Sequence, residues 1–236
     1  MMTFSMKRFS AIVRKEMYDA GKNSQILIMA LFPIIMALFY GNMDTDKGFI
    51  ASFTIAMALT MIGSFVQAII IAEEKEKNTL RVLMLSPANP LEVIFGKSVL
   101  TIFFVIVSSF ISLLILGVLK GNIGMLIVIL LVGTLLCIIL GTIVGLLSQN
   151  IAQTSVIGMP IFILFSFGPM LQAFVKNEVV IKAVRLLPTT HIVEGLNKAL
   201  HGKGFFAIQG HLINNAIWMV ALMIICIFVY KKKQLD

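Results

Sequence analysis

The chain has 236 residues, of which 59% are hydrophobic and 13% charged, whereas soluble domains carry roughly 45–50% apolar and about 25% charged residues. That excess excludes disorder, fibrous repeats, a disulfide-rich secreted scaffold and an ordinary soluble domain, and leaves an all-α integral membrane protein. The net charge of +8 comes from 19 Lys and Arg against 11 Asp and Glu; it lies mostly beside apolar segments, which points to topology and anionic lipid and away from nucleic acid.

Residues 6–22 open the chain as an amphipathic interface helix. Phe9, Ile12, Val13, Met17 and Ala20 recur at helical spacing, opposite Lys7, Arg8, Arg14, Lys15 and Asp19. The pattern fits a lipid anchor, or a helix that also meets a cytoplasmic partner. Six apolar stretches then reach the roughly 17–25 residues needed to cross a bilayer, at 24–40, 49–72, 98–119, 123–147, 154–175 and 212–230. None contains Lys, Arg, Asp, Glu or His. The first span lacks a small-x-small cleavage site and is expected to remain in place. Cys137 and Cys226 fall inside apolar runs and read as packing residues. Residues 1–236 thus form one transmembrane domain with both termini on the same side. Twelve of the 19 Lys and Arg fall on the side of the termini, which makes that side cytoplasmic.

Two connections are long. The inner one, 73–97, starts with Glu73, Glu74 and Glu76 and continues through Thr79, Leu80, Leu83 and Met84 to Pro87. Its apolar edge at three- and four-residue spacing implies a short helix packed on a partner, on the protein's own rim or on lipid. The outer one, 176–211, is too apolar to be a solvated loop, and predicts two short helices meeting near Pro188, acting as a gate or as a structural cap. His191 and Glu194 stand three apart, like half a metal site, but no further ligand keeps a matching spacing, so no metal is expected.

The chemistry of a membrane enzyme is missing. Gly96-Lys97-Ser98 resembles the end of a phosphate loop, but Leu91 stands where such a loop needs Gly. No nucleotide site and no enzymatic pairing are expected on this chain, and the spans hold no ionisable group to couple an ion gradient. What remains is a passage powered from another chain. Met61, Ser64, Phe65 and Gln67 in the second span, with Phe162, Phe165 and Phe174 in the Pro- and Gly-containing fifth, are its candidate lining, or ordinary packing. Gly133, Cys137, Gly141 and Gly145 set a small residue at every fourth position of span four, as close helix packing requires.

The inner stretch from Glu73 to Lys97 resembles the E-x-E-x-G-T-L-x-x-L-x-x-[ST]-P…G-K segment of ABC-2 type transporter permeases, with Asn78 in place of the usual Gly and Arg81 where Glu is common. Leu186 to Leu196 is similar to that family's L-x-P…E-G-L before the last span, and Arg14-Lys15-Glu16 to its R-K-E. The resemblance implies six spans, with re-entrant outer helices around Pro188, His191, Glu194 and Gly195. It implies that Arg14, Lys15 and Glu16, with Glu73, Glu74, Glu76, Thr79, Leu80, Leu83, Met84 and Pro87, couple to a cytoplasmic ABC ATPase. ATP and Mg would sit on that partner, and a second permease, identical or related, would complete the pathway. It further implies a bacterial cell membrane. The aromatic, Met-rich lining suits amphipathic or hydrophobic cargo such as drugs, lipids or peptides; sodium or polysaccharide export by the same family, and a stand-alone pore or peptide-sequestering immunity protein, are the alternatives.

Overall fold

A computed structural model describes residues 5–43, 46–77 and 90–234. The described residues are helical and contain no strand. In chain order the helices are α1 (Met6–Ala20), α2 (Ser24–Tyr40), α3 (Lys47–Glu76), α4 (Pro90–Leu116), α5 (Ile123–Leu147), α6 (Ile151–Phe174), α7 (Glu178–Leu186), α8 (Pro188–Leu200) and α9 (Phe205–Gln234). Five of them, α3 to α6 and α9, are long and apolar enough to cross a membrane. The pair α1 and α2, bent by 81°, makes a sixth candidate if the two count as one broken span, so the expected interface helix and first span meet at nearly a right angle.

Short polar residues set the helix starts. Asn23, Asp46, Asn122, Asn150 and Asn177 each accept hydrogen bonds from the free backbone N–H groups of the turn that follows. Two ends use left-handed glycines. Gly117 (φ 67°) and Gly202 (φ 76°) close α4 and α8, with Val118 N–H returning to Leu113 O and Lys203 N–H to Lys198 O.

Several helix ends fall elsewhere than the apolar stretches do. The second span runs on through Glu76, so Glu73, Glu74 and Glu76 form the last turn of α3 instead of opening a separate loop helix. The third begins at Pro90, not residue 98, and ends at Leu116. The last begins at Phe205, which places His211 in α9 and not in the loop. At the end of α3 and at the starts of α4 and α9 helical hydrogen bonding continues past the apolar stretch, whereas α4 stops at Leu116 because Gly117 turns left-handed. The joint at Pro188 between α7 and α8 is as expected.

The hub is α3, whose most apolar 18-residue window is wholly buried, against 11% of the window in α9. It touches α2, α4, α5, α6 and α8. Apolar burial gives helices little reason to associate within lipid, so close van der Waals contact must hold them. The small residues of α5 supply it. A Cβ on Gly141 would lie 2.2 Å from Ser64 O, one on Gly145 2.8 Å from Ala68 O, and one on Gly63 of α3 2.9 Å from Cys137 Cβ. The middle of α3, Leu59–Val66, is wound as a π-helix, a form that recurs at functional sites.

Candidate functional site

At the inner end, named after the orientation that the charge bias predicts, α1 and the start of α4 pair in step. Arg8 donates to both Glu92 carboxylate oxygens at 2.9 Å, and Ile12 fills the space beside Gly96, where a Cβ would meet Ile12 Cγ2 at 2.7 Å. One turn further, Glu16 reaches Lys97. Lys97 Nζ stands 2.7 Å from Glu16 Oε1 and 3.0 Å from Glu74 Oε1, and all three side chains are at most 6% exposed. Lys15 closes the knot at 2.6 Å from Glu74 and 3.3 Å from both Glu16 and Asp19. Partial burial pulls the Lys15 ammonium down, but Glu74, Glu16 and Asp19 outweigh it and hold the group above the usual lysine range.

The last turn of α3 is tied on its other side as well. Lys75 donates to the carbonyls of Leu146 and Ser148, and Glu76 Oε2 accepts from Ile151 N–H at 3.0 Å. Glu73 pairs with Lys77 at 2.5 Å and raises the Lys77 ammonium through that contact. Residues from two separate motifs, Lys15 and Glu16 of the one and Glu74 and Lys97 from the two ends of the other, therefore meet in one network. Arg14 is not in it; this residue lies on the exposed groove of α1 with Lys7, Ser10 and Tyr18. Thr79, Leu80, Leu83, Met84 and Pro87 lie outside the described residues.

The candidate lining is packed in this chain. Met61, Ser64, Phe65, Gln67, Phe162 and Phe165 are all buried. Phe65 and Phe162 meet across α3 and α6 with ring centroids 5.4 Å apart, and Phe165 meets Trp218 of α9 at 6.2 Å. Ser64 Oγ donates to Cys137 O at 2.9 Å, Thr60 shares a hydrogen bond with Ser166, and Gln67 Oε1 accepts from Thr101 at 2.7 Å. Polar side chains at this depth need partners within the protein; these have them. Phe174 ends α6, its side chain outside the described residues.

At the outer end, Pro188 starts α8, where its fixed φ fits the first helical position. Gly195 faces α9: a Cβ there would lie 3.6 Å from His211 Cβ. Beside it, His191 Nδ1 stands 3.0 Å from His211 Nδ1, and Glu194 Oε2 lies 3.7 Å from the same His211 nitrogen. Lys198 Nζ sits 2.9 Å from His211 Nε2. Spacing along the chain could not reveal His211, which is 20 residues from His191 on another helix. Nor could it reveal Glu92 or Lys97 as members of the inner network. For Lys97 one signal existed: a lone cation at the mouth of an apolar span needs a counter-charge.

Residues 47–230 match the family model described as ABC-2 family transporter protein. No curated protein matches the chain.

Proposed function

The chain belongs to the ABC-2 family of transporter proteins, and from that premise we propose that it is the membrane-spanning permease subunit of an ATP-driven exporter. Two cytoplasmic ABC ATPase chains would supply the energy, with ATP and Mg bound there, and a second permease would complete the pathway. Both termini face the cytoplasm of a bacterial cell.

The observation that supports this reading is the buried knot of Glu16, Glu74 and Lys97. A lever driven by an ATPase has to pass its displacement to the spans without bending. Lys97 at the end of the inner connection, Glu74 at its start and Glu16 of α1 share one set of charge-assisted bonds in low dielectric, so drawing Lys97 away from the two carboxylates exposes an unpaired buried charge. ATPase closure would push on residues 73–87, and α1, the end of α3 and the start of α4 would move together. Opening a passage along α3 and α6 would part Phe65 from Phe162. The apolar and aromatic character of those faces favours amphipathic or hydrophobic cargo.

The test is purification of the tagged chain from its own membrane in mild detergent, followed by mass spectrometry. An ABC ATPase at one copy per permease is the expected companion. In that complex, Leu83→Glu should abolish cargo-stimulated ATP hydrolysis while the chain keeps its melting temperature. Unaltered coupling would remove the lever assignment, and no recoverable ATPase after crosslinking at 73–87 would remove the exporter.

A further inference from the structure

We infer that His191, Glu194 and His211 form a site for a divalent first-row transition ion of the zinc type, clamping α8 to α9 at the outer end. The ligand atoms of these residues all lie within 4.8 Å of one another. Two bonds of about 2.0–2.1 Å at a tetrahedral angle place their donors roughly 3.3 Å apart. The separations here, 3.0 Å between the two histidine Nδ1 atoms and 3.7 Å from His211 Nδ1 to Glu194 Oε2, straddle that value. The longer one exceeds a hydrogen bond, yet suits two ligands sharing an ion. Two imidazoles and one carboxylate are the donor set of open zinc sites, whose fourth position takes water. Here the Glu194 side chain, 46% exposed, leaves a side for water, while His211, 12% exposed, is held by the packing of α8 on α9.

The two helices bring the ligands together by ordinary means. His191 and Glu194 are three apart on α8 and so share a face. Gly195 lies at the contact of α8 with α9, where a Cβ would stand at an ordinary 3.6 Å from His211 Cβ.

Lys198 opposes the ion. Its ammonium has no lone pair, so His211 Nε2 must accept from it at 2.9 Å. The imidazole proton then sits on Nδ1 and is donated to His191 Nδ1. An ion on His211 Nδ1 takes the place of that proton, which moves to Nε2 with no net release. Lys198 must then give up Nε2, and it keeps its second acceptor, Ala207 O, at 3.2 Å. Lysine and metal compete for one ring, although they touch different nitrogens.

The test uses the full chain in detergent, stripped with chelator and titrated with Zn²⁺ by calorimetry and with Co²⁺ by visible absorption. One ion per chain and a four-coordinate Co²⁺ spectrum are expected. His191→Ala and His211→Ala should weaken binding beyond the roughly 10–100-fold typical of losing an outer-shell partner, His201→Ala should leave it unchanged, and Lys198→Met should tighten it. No binding by the wild-type chain, or equal affinity in the His191→Ala/His211→Ala double variant, would overturn the site. Should the histidine variants not fold, Lys198→Met decides, since unchanged or weaker binding there contradicts the competition. The ion binds whether or not cargo moves, so this result stands apart from the exporter reading.

Discussion

The two ends of the molecule handle polarity in opposite ways. At the inner end, Glu16, Glu74 and Lys97 are buried and bonded to one another, with Arg8 on Glu92 and Lys75 on two carbonyls beside them. At the outer end the groups are half-exposed, and the buried oxygens Thr189 Oγ1, Asn197 Oδ1, Asn214 Oδ1 and Asn215 Oδ1 find no donor among the described residues. A satisfied network in low dielectric resists being pulled apart, and the outer oxygens have no such tie. The inner end is the more tightly bound of the two.

The contrast can be broken hardest at Lys97. Lys97→Met leaves two buried carboxylates with the half-exposed Lys15 as their remaining cation, and should cost about 3 kcal/mol, the low end for a broken buried pair, read as lost unfolding free energy in a denaturant titration in mixed micelles. Next comes Gly141→Ala in the middle of the bundle. Its Cβ would meet Ser64 backbone at 2.2 Å, so α5 must back away from α3, at about 1–3 kcal/mol; the same titration checks it. A matched pair then sharpens the difference between the ends. Both Gly96→Ala and Gly195→Ala gain up to about 1 kcal/mol of helix propensity. At Gly96 the new methyl strikes the stiff, β-branched Ile12 at 2.7 Å, whereas at Gly195 its nearest neighbour is the far end of Ile129 at 3.3 Å. Melting temperature should fall in the first and stay level or rise in the second. Equal responses would mean that the ends are packed alike.

Much of the architecture was legible because the bilayer imposes length and charge rules that act within a single segment. The fourth span, 123–147, coincides with α5, Pro188 marked the joint of α7 and α8, and the four-residue ladder of small side chains announced a closely packed face, though not that α3 would fill it. What escaped depended on pairs of segments. Gln67 stood out as the most polar side chain at depth, but nothing local linked it to Thr101, 34 residues away. His211 had no fixed spacing to His191, because α8, a turn and the start of α9 separate them. The π winding of Leu59–Val66 has no proline or paired glycine to announce it. Helix ends were misjudged where charged residues continue a helix beyond the apolar stretch, as at Glu73–Glu76.

The enclosure of α3 bears on how the protein is made. Ser52, Thr54, Thr60, Ser64 and Gln67 all point into its surroundings of helix and none reaches the surface. Of the helices that cover them, α4, α5, α6 and α8 are synthesised later. Ser52, Thr54 and Thr60 already bond to carbonyls of α3 itself, so before those helices arrive only Ser64 and Gln67, whose partners Cys137 and Thr101 lie on α5 and α4, lack their bonding groups. A truncation after α6 would leave the side of α3 that α8 covers open to lipid, and would turn a seam of the finished protein into an outer wall.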